Sequence, residues 1–316
     1  MSVKVGVVGA GRIGEHHIRN YTSMPHAEVV GIYDIDYGKA ERKAAAYKTT
    51  PFKDLPGLLG EVDAVSVCVP TENHADVVEE VAASRVDVLL EKPISSSLED
   101  ADRIIKAAEK AGMILMLGHV ERFNPAVLTV KDIMDPGEVV YIEAQRIGPF
   151  EYAYSDTGVV LDLMIHDIDI VMHLIGSDIV KVNSMTQKVR SKTEDVAHAQ
   201  LKFENGMVAV LEASRVANRR IRSMSVTQKE QYITADYQTQ EVFVRSGLSA
   251  EYVGGKNVSY KQVGAMEIPY IQRGEPLRNE LEHFVDCVAK GLPPGVTGEE
   301  ARDALKVALQ IVAEGG

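Results

Sequence analysis

The first fourteen residues constrain the fold of this chain more than any other segment. An apolar run from Val3 to Val8 leads directly into residues 9–14, Gly-Ala-Gly-Arg-Ile-Gly, and a helical pattern follows. A strand that passes through a glycine turn into a helix is typical of a doubly wound parallel sheet. Gly9 then permits the tight turn, Gly11 gives a ligand access to the backbone, and Gly14 lets the helix pack closely on the strand.

The glycine turn also predicts a binding site for a dinucleotide. Backbone N–H groups and the positive end of the helix dipole converge there on one anionic group, such as a pyrophosphate. A second apolar run, Val29 to Tyr33, ends at Asp34, twenty residues after Gly14, where an acidic side chain accepts hydrogen bonds from the ribose 2'-hydroxyl. We therefore expect NAD as the cofactor, with a glycine-rich turn that binds no ligand as the alternative. The predicted contacts here are Gly9, Gly11, Arg12, Ile13, Gly14 and Asp34.

Composition limits the class of protein. A chain of 316 residues with 45% hydrophobic and 25% charged residues is expected to form two globular domains. The net charge of -12 opposes nonspecific binding to nucleic acid. We find no apolar run long enough to cross a membrane and no secretory signal, and Cys68 and Cys287 are interpreted as buried thiols. We therefore expect a cytoplasmic protein without nucleic-acid or membrane partners.

The first part of the chain alternates short apolar runs with helical ones, which predicts a Rossmann domain over residues 1–121. The predicted strands are Val3–Val8, Val29–Tyr33, Ala64–Val69, Val86–Leu90 and Ile114–Leu117, with helices over Ala75–Ala83 and Leu98–Ala111. Ligands of such sheets bind beyond the carboxyl ends of the strands. Further cofactor contacts are therefore expected at Pro70, Thr71, Asn73, His74, Glu91 and Lys92.

The pattern changes after that domain. A long helix over about Val159–Ile175, ended by Gly176, is followed by consecutive extended runs with short turns, which predict a mainly antiparallel sheet. The predicted strands are Ile179–Val189, Val196–Phe203, Met207–Val216, Ile221–Thr227, Tyr232–Asp236 and Glu241–Val244, and two helices near Glu280–Ala289 and Glu299–Ala313 follow. We interpret residues 122–316 as a domain for substrate binding and oligomerisation.

The long helix carries a line of ionisable residues on an otherwise apolar surface. Asp162, His166, Asp169 and His173 follow one another at spacings of four, three and four residues, so they share one face. For Asp169 and His173 we favour a structural polar network between domains, and for Asp162 and His166 a site that faces the cofactor. A metal site formed by His166, Asp167 and Asp169 is a third interpretation. It is disfavoured because no second ligand group stands at a suitable spacing, so we expect no metal.

Lys92 and the segment near residue 120 supply further candidates. Lys92 ends an apolar run at the carboxyl edge of the sheet, where its ammonium can hold a substrate hydroxyl and stabilise negative charge on that oxygen. A solvated lysine at the end of a strand is the alternative. Arg122 and Asn124 are candidate substrate contacts, since a guanidinium suits a planar anion. The alternative for Arg122 is an ion pair between domains.

Three motifs occur in an order that resembles the glucose-fructose oxidoreductase, inositol dehydrogenase and MocA family of NAD(P)-dependent sugar dehydrogenases. They are the glycine motif of residues 9–14, Glu91-Lys92-Pro93, and Asp162 with His166 four residues later. The resemblance implies that Lys92, Asp162 and His166 are the catalytic residues and that the Lys92–Pro93 peptide is cis. It also implies that an open antiparallel sheet forms contacts in a homodimer or homotetramer. Residues 118–125 resemble the corresponding segment of UDP-N-acetylglucosamine 3-dehydrogenases.

These observations and the resemblance predict an NAD-dependent oxidoreductase acting on a secondary hydroxyl of a nucleotide sugar, and the resemblance of residues 118–125 implies C3 of UDP-N-acetylglucosamine. His166 would take the hydroxyl proton, since an imidazole exchanges protons near neutral pH, and Asp162 would orient the ring. A dehydrogenase of a free polyol, sugar acid or dihydrodiol is one alternative. The other is a binding protein that senses NAD(H) without turnover, although such a protein has no need of Lys92 and His166 together.

Overall fold

The computed structural model describes residues 2–151, 156–247, 252–255, 258–261 and 264–316. The chain forms two compact units: residues 1–120 with 275–306, and residues 121–274 with 307–316. The predicted division into residues 1–121 and 122–316 stays a prediction. The compact units differ from it mainly in residues 275–306, because this returning segment packs with the N-terminal part of the chain.

The first unit is a doubly wound α/β structure. Its strands are β1 (Val3–Val8), β2 (Ala27–Tyr33), β3 (Thr50–Phe52), β4 (Ala64–Val67), β5 (Asp87–Glu91) and β6 (Leu115–Gly118). Its helices are α1 (Arg12–Thr22), α2 (Tyr37–Tyr47), α3 (Leu55–Leu59), α4 (His74–Ala83) and α5 (Leu98–Ala111), with α8 (Pro276–Lys290) and the first part of α9 (Gly298–Glu314). The strands form a six-stranded parallel sheet in the order β3-β2-β1-β4-β5-β6.

Local sequence explains these elements. Val5, Val7 and Val8 of β1 are fully buried, as expected where helices cover both faces of a parallel sheet. Helix α5 is capped at its start by Ser97, whose hydroxyl accepts the Asp100 N–H, and at its end by Gly112 in the left-handed conformation. β1 and α5 have their predicted bounds, and the other predicted elements of this unit lie within two residues of theirs, except that α8 begins at Pro276, four residues before its predicted start. α2, β3 and α3 were not predicted from the sequence.

The second unit is built on an eight-stranded sheet. Its strands are β7 (Val139–Ile147), β8 (Ile179–Gln187), β9 (Val196–Phe203), β10 (Val208–Ser214), β11 (Ile221–Gln228), β12 (Gln231–Asp236), β13 (Glu241–Ser246) and β16 (Met266–Glu267). Their order is β16-β13-β12-β11-β7-β10-β9-β8, and a separate hairpin joins β14 (Tyr252–Gly255) to β15 (Val258–Lys261). β7 runs parallel to β10, while the other described pairs of the sheet are antiparallel. The predicted fold class, a Rossmann sheet with a mainly antiparallel sheet domain, is confirmed.

Two helices of the second unit, α6 (Pro125–Ile133) and α7 (Ile165–Ile175), carry candidate site residues or their neighbours. α7 packs on the face of the sheet to which Ile142, Ala144 and Leu211 point, and these residues are buried. The apolar run Met207–Leu211, a candidate surface for a second copy of the chain, divides between the two faces. Its residues Met207, Ala209 and Leu211 are buried, and only Val208 and Val210 lie on the other face.

Two other expectations concern apolar segments and thiols. Among the described residues, no helix combines the length and the apolar character that crossing a membrane requires. Cys287 is a buried free thiol, as expected. Cys68 is also free but is only half-buried, and it directly follows β4.

Candidate active site

The glycine turn has the geometry that its three glycines predict. Gly9 has a φ of +101°, its N–H donates to the carbonyl oxygen of Tyr33 at 2.8 Å, and a Cβ here would lie 2.7 Å from the Cys68 carbonyl oxygen. A Cβ at Gly14 would collide with the carbonyl oxygen of Gly9. A Cβ at Gly11 would meet nothing within 4 Å. Gly9 and Gly14 are therefore required by the fold, whereas the space beside Gly11 is open for a ligand.

Asp34 joins the end of β2 to this turn. Its Oδ2 accepts the Ala10 N–H at 2.7 Å, and its Oδ1 accepts the Asp36 N–H at 2.9 Å. A carboxylate offers about four acceptor positions, so two such bonds leave capacity for ribose hydroxyls. α1 begins at Arg12, and Gly11 has no side chain to cap its first-turn amides. These residues fit a dinucleotide: an open helix N-terminus for the pyrophosphate beside an oriented carboxylate for the ribose.

The predicted contacts after β4 have two different environments. Thr71 and Asn73 lie in a short 3-10 turn outside the core, so their contact with the cofactor stays a prediction, as it does for Pro70. His74 instead is buried, and its Nε2 and Nδ1 lie 3.1 and 3.2 Å from the carbonyl oxygens of Val69 and Ile94. Burial lowers the pKa of His74 against the effect of these carbonyl contacts. Its role in the structure is to join two loops at the edge of the sheet.

Glu91 ends β5 at the same edge, and Lys92 follows it directly. The Oε1 of Glu91 lies 2.8 Å from Nε2 of the buried His17 on α1, and its Oε2 accepts the Lys92 N–H at 3.2 Å. Burial raises the pKa of Glu91, but the hydrogen bond from His17 and the charges of His17 and Lys92 outweigh it, so the pKa is lowered. The predicted cis peptide between Lys92 and Pro93 is confirmed. His17 was not predicted from the sequence, although its position three residues after Gly14 places it on the packed side of α1.

In the second unit, Asp162 lies in a π-helical turn, Val160–Met164, that runs into α7. The sequence predicted one helix here, and the structure divides it. Such π turns occur frequently at functional sites. Glu194 holds the start of the turn: its carbonyl oxygen accepts the Val159 N–H at 3.0 Å, and its Oε1 accepts the Val160 N–H at 3.2 Å. The position of Asp162 therefore depends on a residue of the loop before β9.

That loop is fixed by Asp195, a residue that was not predicted from the sequence. Asp195 Oδ2 accepts three backbone N–H groups, those of Val189, Arg190 and Ser191, and its Oδ1 accepts Nε of Arg215 at 2.7 Å. Burial raises the pKa of this carboxyl, but the hydrogen bonds outweigh burial and hold the pKa well below its usual range. No local pattern in the sequence joins Asp195 to Arg215, which follows β10.

Two neighbouring carboxylates of α7 bind arginines. Asp169 accepts Nε and Nη2 of Arg122 at 2.8 and 2.6 Å, and both side chains are buried. Asp167 accepts Nε and Nη2 of Arg146 at 2.8 and 2.9 Å, while Nη1 of Arg146 donates to Glu121 at 2.7 Å. These pairs lie within the second unit. From the sequence, Arg122 is a candidate for an ion pair between domains, and Asp169 for a polar network between domains. The structure instead pairs these two residues with each other inside one unit.

The remaining candidates near these pairs also have structural contacts. His173 lies 2.9 Å from Nζ of Lys131 on α6. Asn124 caps α6, with its Oδ1 accepting the Ala126 N–H and its Nδ2 donating to the carbonyl oxygen of Tyr237 at 3.1 Å. Since the Arg122 guanidinium is engaged by a carboxylate and the Asn124 amide by the backbone, their contact with substrate stays a prediction. The same holds for the catalytic roles of Lys92 in the first unit and of Asp162 and His166 in the second.

Each of the two units matches a known protein family. Residues 3–119 match the oxidoreductase family with an NAD-binding Rossmann fold, and residues 132–233 match the GFO/IDH/MocA C-terminal domain. The UDP-N-acetylglucosamine 3-dehydrogenase of Acidithiobacillus ferrooxidans is 30% identical over 98% of this chain and 96% of its own. A solved structure of that enzyme has a TM-score of 0.91 at 29% identity, covering 99% of this chain and 98% of the other.

An NAD-dependent relative acts on a different type of molecule. The scyllo-inositol 2-dehydrogenase (NAD(+)) of Bacillus subtilis is 27% identical over 97% of this chain and 92% of its own. The relatives thus include dehydrogenases of a nucleotide sugar and of a polyol. Together with the glycine turn and Asp34, these likenesses place the chain in the GFO/IDH/MocA oxidoreductase family as an NAD-dependent dehydrogenase acting on hydroxyl groups.

Proposed function

We propose that this sugar dehydrogenase oxidises a secondary hydroxyl of a nucleotide sugar, at C3 of UDP-N-acetylglucosamine. One observation carries the proposal: the likeness to the UDP-N-acetylglucosamine 3-dehydrogenase, at 30% identity, extends over nearly the whole length of both chains. It therefore includes the second unit, in which substrate specificity is expected to reside. The segment of residues 118–125, which suggested the same substrate from the sequence, supports it.

In this proposal each catalytic side chain has a separate task. Lys92 holds the substrate oxygen and stabilises its developing negative charge, while His166 accepts the hydroxyl proton. Asp162 orients the imidazole and stabilises its protonated form. NAD, when bound, supplies the two-electron acceptor, so the alcohol carbon is oxidised to a ketone. The π-helical turn supports this assignment, because Glu194 fixes the backbone amides that precede Asp162.

A free polyol is the second candidate substrate, and the inositol dehydrogenases among the relatives favour it. Initial rates should be followed by the absorbance of reduced nicotinamide with UDP-N-acetylglucosamine and with myo-inositol at equal concentrations. We expect turnover with the nucleotide sugar and a kcat/KM at least tenfold lower with inositol. The reverse preference would replace the proposed substrate, and absence of turnover across a panel of sugars would favour the NAD(H)-sensing alternative.

The catalytic assignment is tested by substituting Lys92 and His166. Loss of a positioned acid–base group lowers the rate about a hundredfold to ten-thousandfold, so we expect losses of this size for Lys92→Ala and His166→Ala. NAD affinity, followed by fluorescence, should change little. His173→Ala on the same helix and Lys110→Ala at the surface are matched controls with near-normal turnover. If His166→Ala keeps its turnover, or loses it only by unfolding, His166 is structural.

We also propose that the open face of the eight-stranded sheet pairs with a second copy of the chain. The proposal is supported by the half-exposed Val208 and Val210, which lie on the face away from α7. Antiparallel sheets with one uncovered face commonly form such contacts. Light scattering at micromolar concentration should give the mass of a dimer or tetramer, and a monomer mass would contradict the proposal.

A further inference from the structure

Two arginines lie directly opposite each other on the eight-stranded sheet. The antiparallel register of β11 and β7 pairs Arg222 with Arg146. Residues directly opposite each other lie on the same face of a sheet, and on β7 that face is the buried one, which carries Ile142 and Ala144. Arg222 therefore lies on the face that α7 covers, beside the buried cluster around Arg146.

Arg146 has hydrogen-bonding and aromatic partners around its guanidinium. Its guanidinium makes two hydrogen bonds to Asp167 and one to Glu121, and its carbon Cζ lies 5.4 Å from the centre of the Tyr237 ring. The side chain is only 1% exposed. A buried arginine with paired carboxylates and an aromatic neighbour is a stable arrangement that does not require a ligand.

Arg222 has the same charge and face but different contacts. In the part of the chain that the structure describes, its half-buried guanidinium makes neither a hydrogen bond nor an ion pair. Like charges directly opposite each other on two strands are destabilising. Burial lowers the pKa of Arg222, the charges of Arg146 and Arg220 lower it further, and Glu121 and Asp167 act in the opposite direction. A bound anion would offset the repulsion between the guanidinium groups of Arg222 and Arg146.

We propose that Arg222 binds a phosphate of the nucleotide diphosphate in the substrate. The proposal rests on the proposed function and extends it to a specificity-determining residue. A guanidinium donates two parallel hydrogen bonds to a phosphate, and it retains its charge when partly buried. On a chain with a net charge of -12, a local cation is needed to hold a diphosphate.

The position of Arg222 within the second unit is compatible with this role. Asp167 follows His166 directly along the chain and binds Arg146, and Arg222 lies one strand spacing, about 4.8 Å, beyond Arg146. In a nucleotide sugar the pyranose ring separates the ring hydroxyls from the phosphate at C1. The proposal requires one molecule to present a hydroxyl to His166 and a phosphate to Arg222.

UDP, which has the diphosphate and no sugar, is the direct probe. Its affinity for the NAD-loaded protein should be measured by calorimetry for the unaltered chain and for Arg222→Gln, Arg222→Lys and Arg245→Gln. Arg245 is an exposed arginine of β13 and controls for the loss of one charge on the same sheet. Because Arg222→Gln removes hydrogen bonds between charged groups, we expect its affinity for UDP to fall by roughly tenfold to hundredfold. We expect a smaller loss in Arg222→Lys and nearly none in Arg245→Gln.

Kinetic and stability measurements separate this role from a structural one. Arg222→Gln should raise the KM for UDP-N-acetylglucosamine about tenfold or more while kcat and any rate with myo-inositol change little. Its melting temperature should stay the same or rise, because a like-charge neighbour of Arg146 is removed. Absence of UDP binding by the unaltered chain, or equal UDP affinity in Arg222→Gln, would overturn the proposal. Because UDP binding needs no turnover, these results stand even if the sugar oxidised is a different one.

Discussion

The two units hold their candidate site residues in different ways. In the first unit Asp34 and His74 are held by the backbone: Asp34 accepts two N–H groups, and His74 lies against two carbonyl oxygens. In the second unit Asp169 and Asp167 are held by charged side chains, in the pairs Arg122–Asp169 and Arg146–Asp167. The first arrangement depends on where glycine permits the backbone to pass, and the second depends on complementary charges from distant parts of the sequence.

This difference predicts two kinds of sensitivity. A glycine in contact with another backbone segment has no room for the Cβ of an alanine, whereas a glycine beside open space can be replaced without a clash. Removing one partner of a buried ion pair lowers the stability of the fold, because the other charge is left buried alone. Removing that second charge as well recovers part of the lost stability. Substitutions in each unit therefore test whether backbone geometry or charge holds its site residues.

The largest effect is expected for Gly14→Ala. The added Cβ would collide with the Gly9 carbonyl oxygen, so α1 must move away from the turn. We expect a loss of at least about 4 kcal/mol in unfolding free energy, measured by denaturant titration, together with loss of NAD binding. Gly11→Ala is the matched control: its Cβ meets nothing within 4 Å, so stability should be kept while NAD binds more weakly. Equal destabilisation in both variants would contradict the distinction between the glycines.

Arg146→Met should destabilise the second unit by about 3 to 5 kcal/mol, because it leaves the carboxylates of Asp167 and Glu121 buried without their cation. The double variant Arg146→Met with Asp167→Leu should recover part of this loss, as measured in a double-mutant cycle. Arg220→Met, which removes an exposed partner of Glu151, should change stability by less than about 1 kcal/mol. No recovery in the double variant would show that packing, rather than charge, holds this cluster.

A smaller effect with a defined pH dependence is expected for Asp195→Asn. The loss of charge-assisted hydrogen bonds should lower stability by about 2 to 3 kcal/mol at pH 7. Because the pKa of Asp195 is depressed in the folded state, its stabilisation is complete above the ordinary aspartate pKa of 3.8 and is lost as the pH falls towards the folded value. The difference between the two proteins should thus be constant above about pH 5 and shrink below about pH 4. A constant difference at all pH values would contradict the charged role.

The smallest effect is expected for Asp34→Ala. We predict that the chain prefers NAD to NADP, since the Asp34 carboxylate accepts ribose hydroxyls and repels a 2'-phosphate. Removing it should narrow the ratio of kcat/KM between the two cofactors by about tenfold, or about 1.4 kcal/mol. Asp36→Ala provides a control for charge alone. A comparable kcat/KM of the unaltered enzyme with NAD and NADP would contradict this prediction.

The same contrast explains what the sequence could predict. The glycine turn, Asp34 and the strands of the first sheet follow from local patterns, because each residue's role depends on its immediate neighbours. β7 was missed, although it lies between β10 and β11 in the second sheet. Its buried face ends in Arg146, which in a local pattern suggests a surface position, and its parallel partner β10 lies far along the chain.

The candidate site divides in the same way. The helical period of the apolar residues predicted one helix containing Asp162 and His166, whereas the structure places Asp162 in the π-helical turn and His166 in α7. The loop contacts that fix the start of that helix, from Glu194 and from Asp195 with Arg215, could not be predicted. They join residues that lie outside the strands and far apart in the sequence, and nothing in one sequence shows which distant charges will meet.

The return of residues 275–306 to the first unit has a consequence for biosynthesis. When residue 120 has left the ribosome, the N-terminal sheet is complete, but α8 and the start of α9 do not yet exist. Translation at about 5 to 20 residues per second needs roughly 10 to 30 seconds to reach them. During this interval the apolar surface that later contacts Leu281 and Phe284 has no cover, so nascent chains are expected to need protection by a chaperone until synthesis is nearly finished.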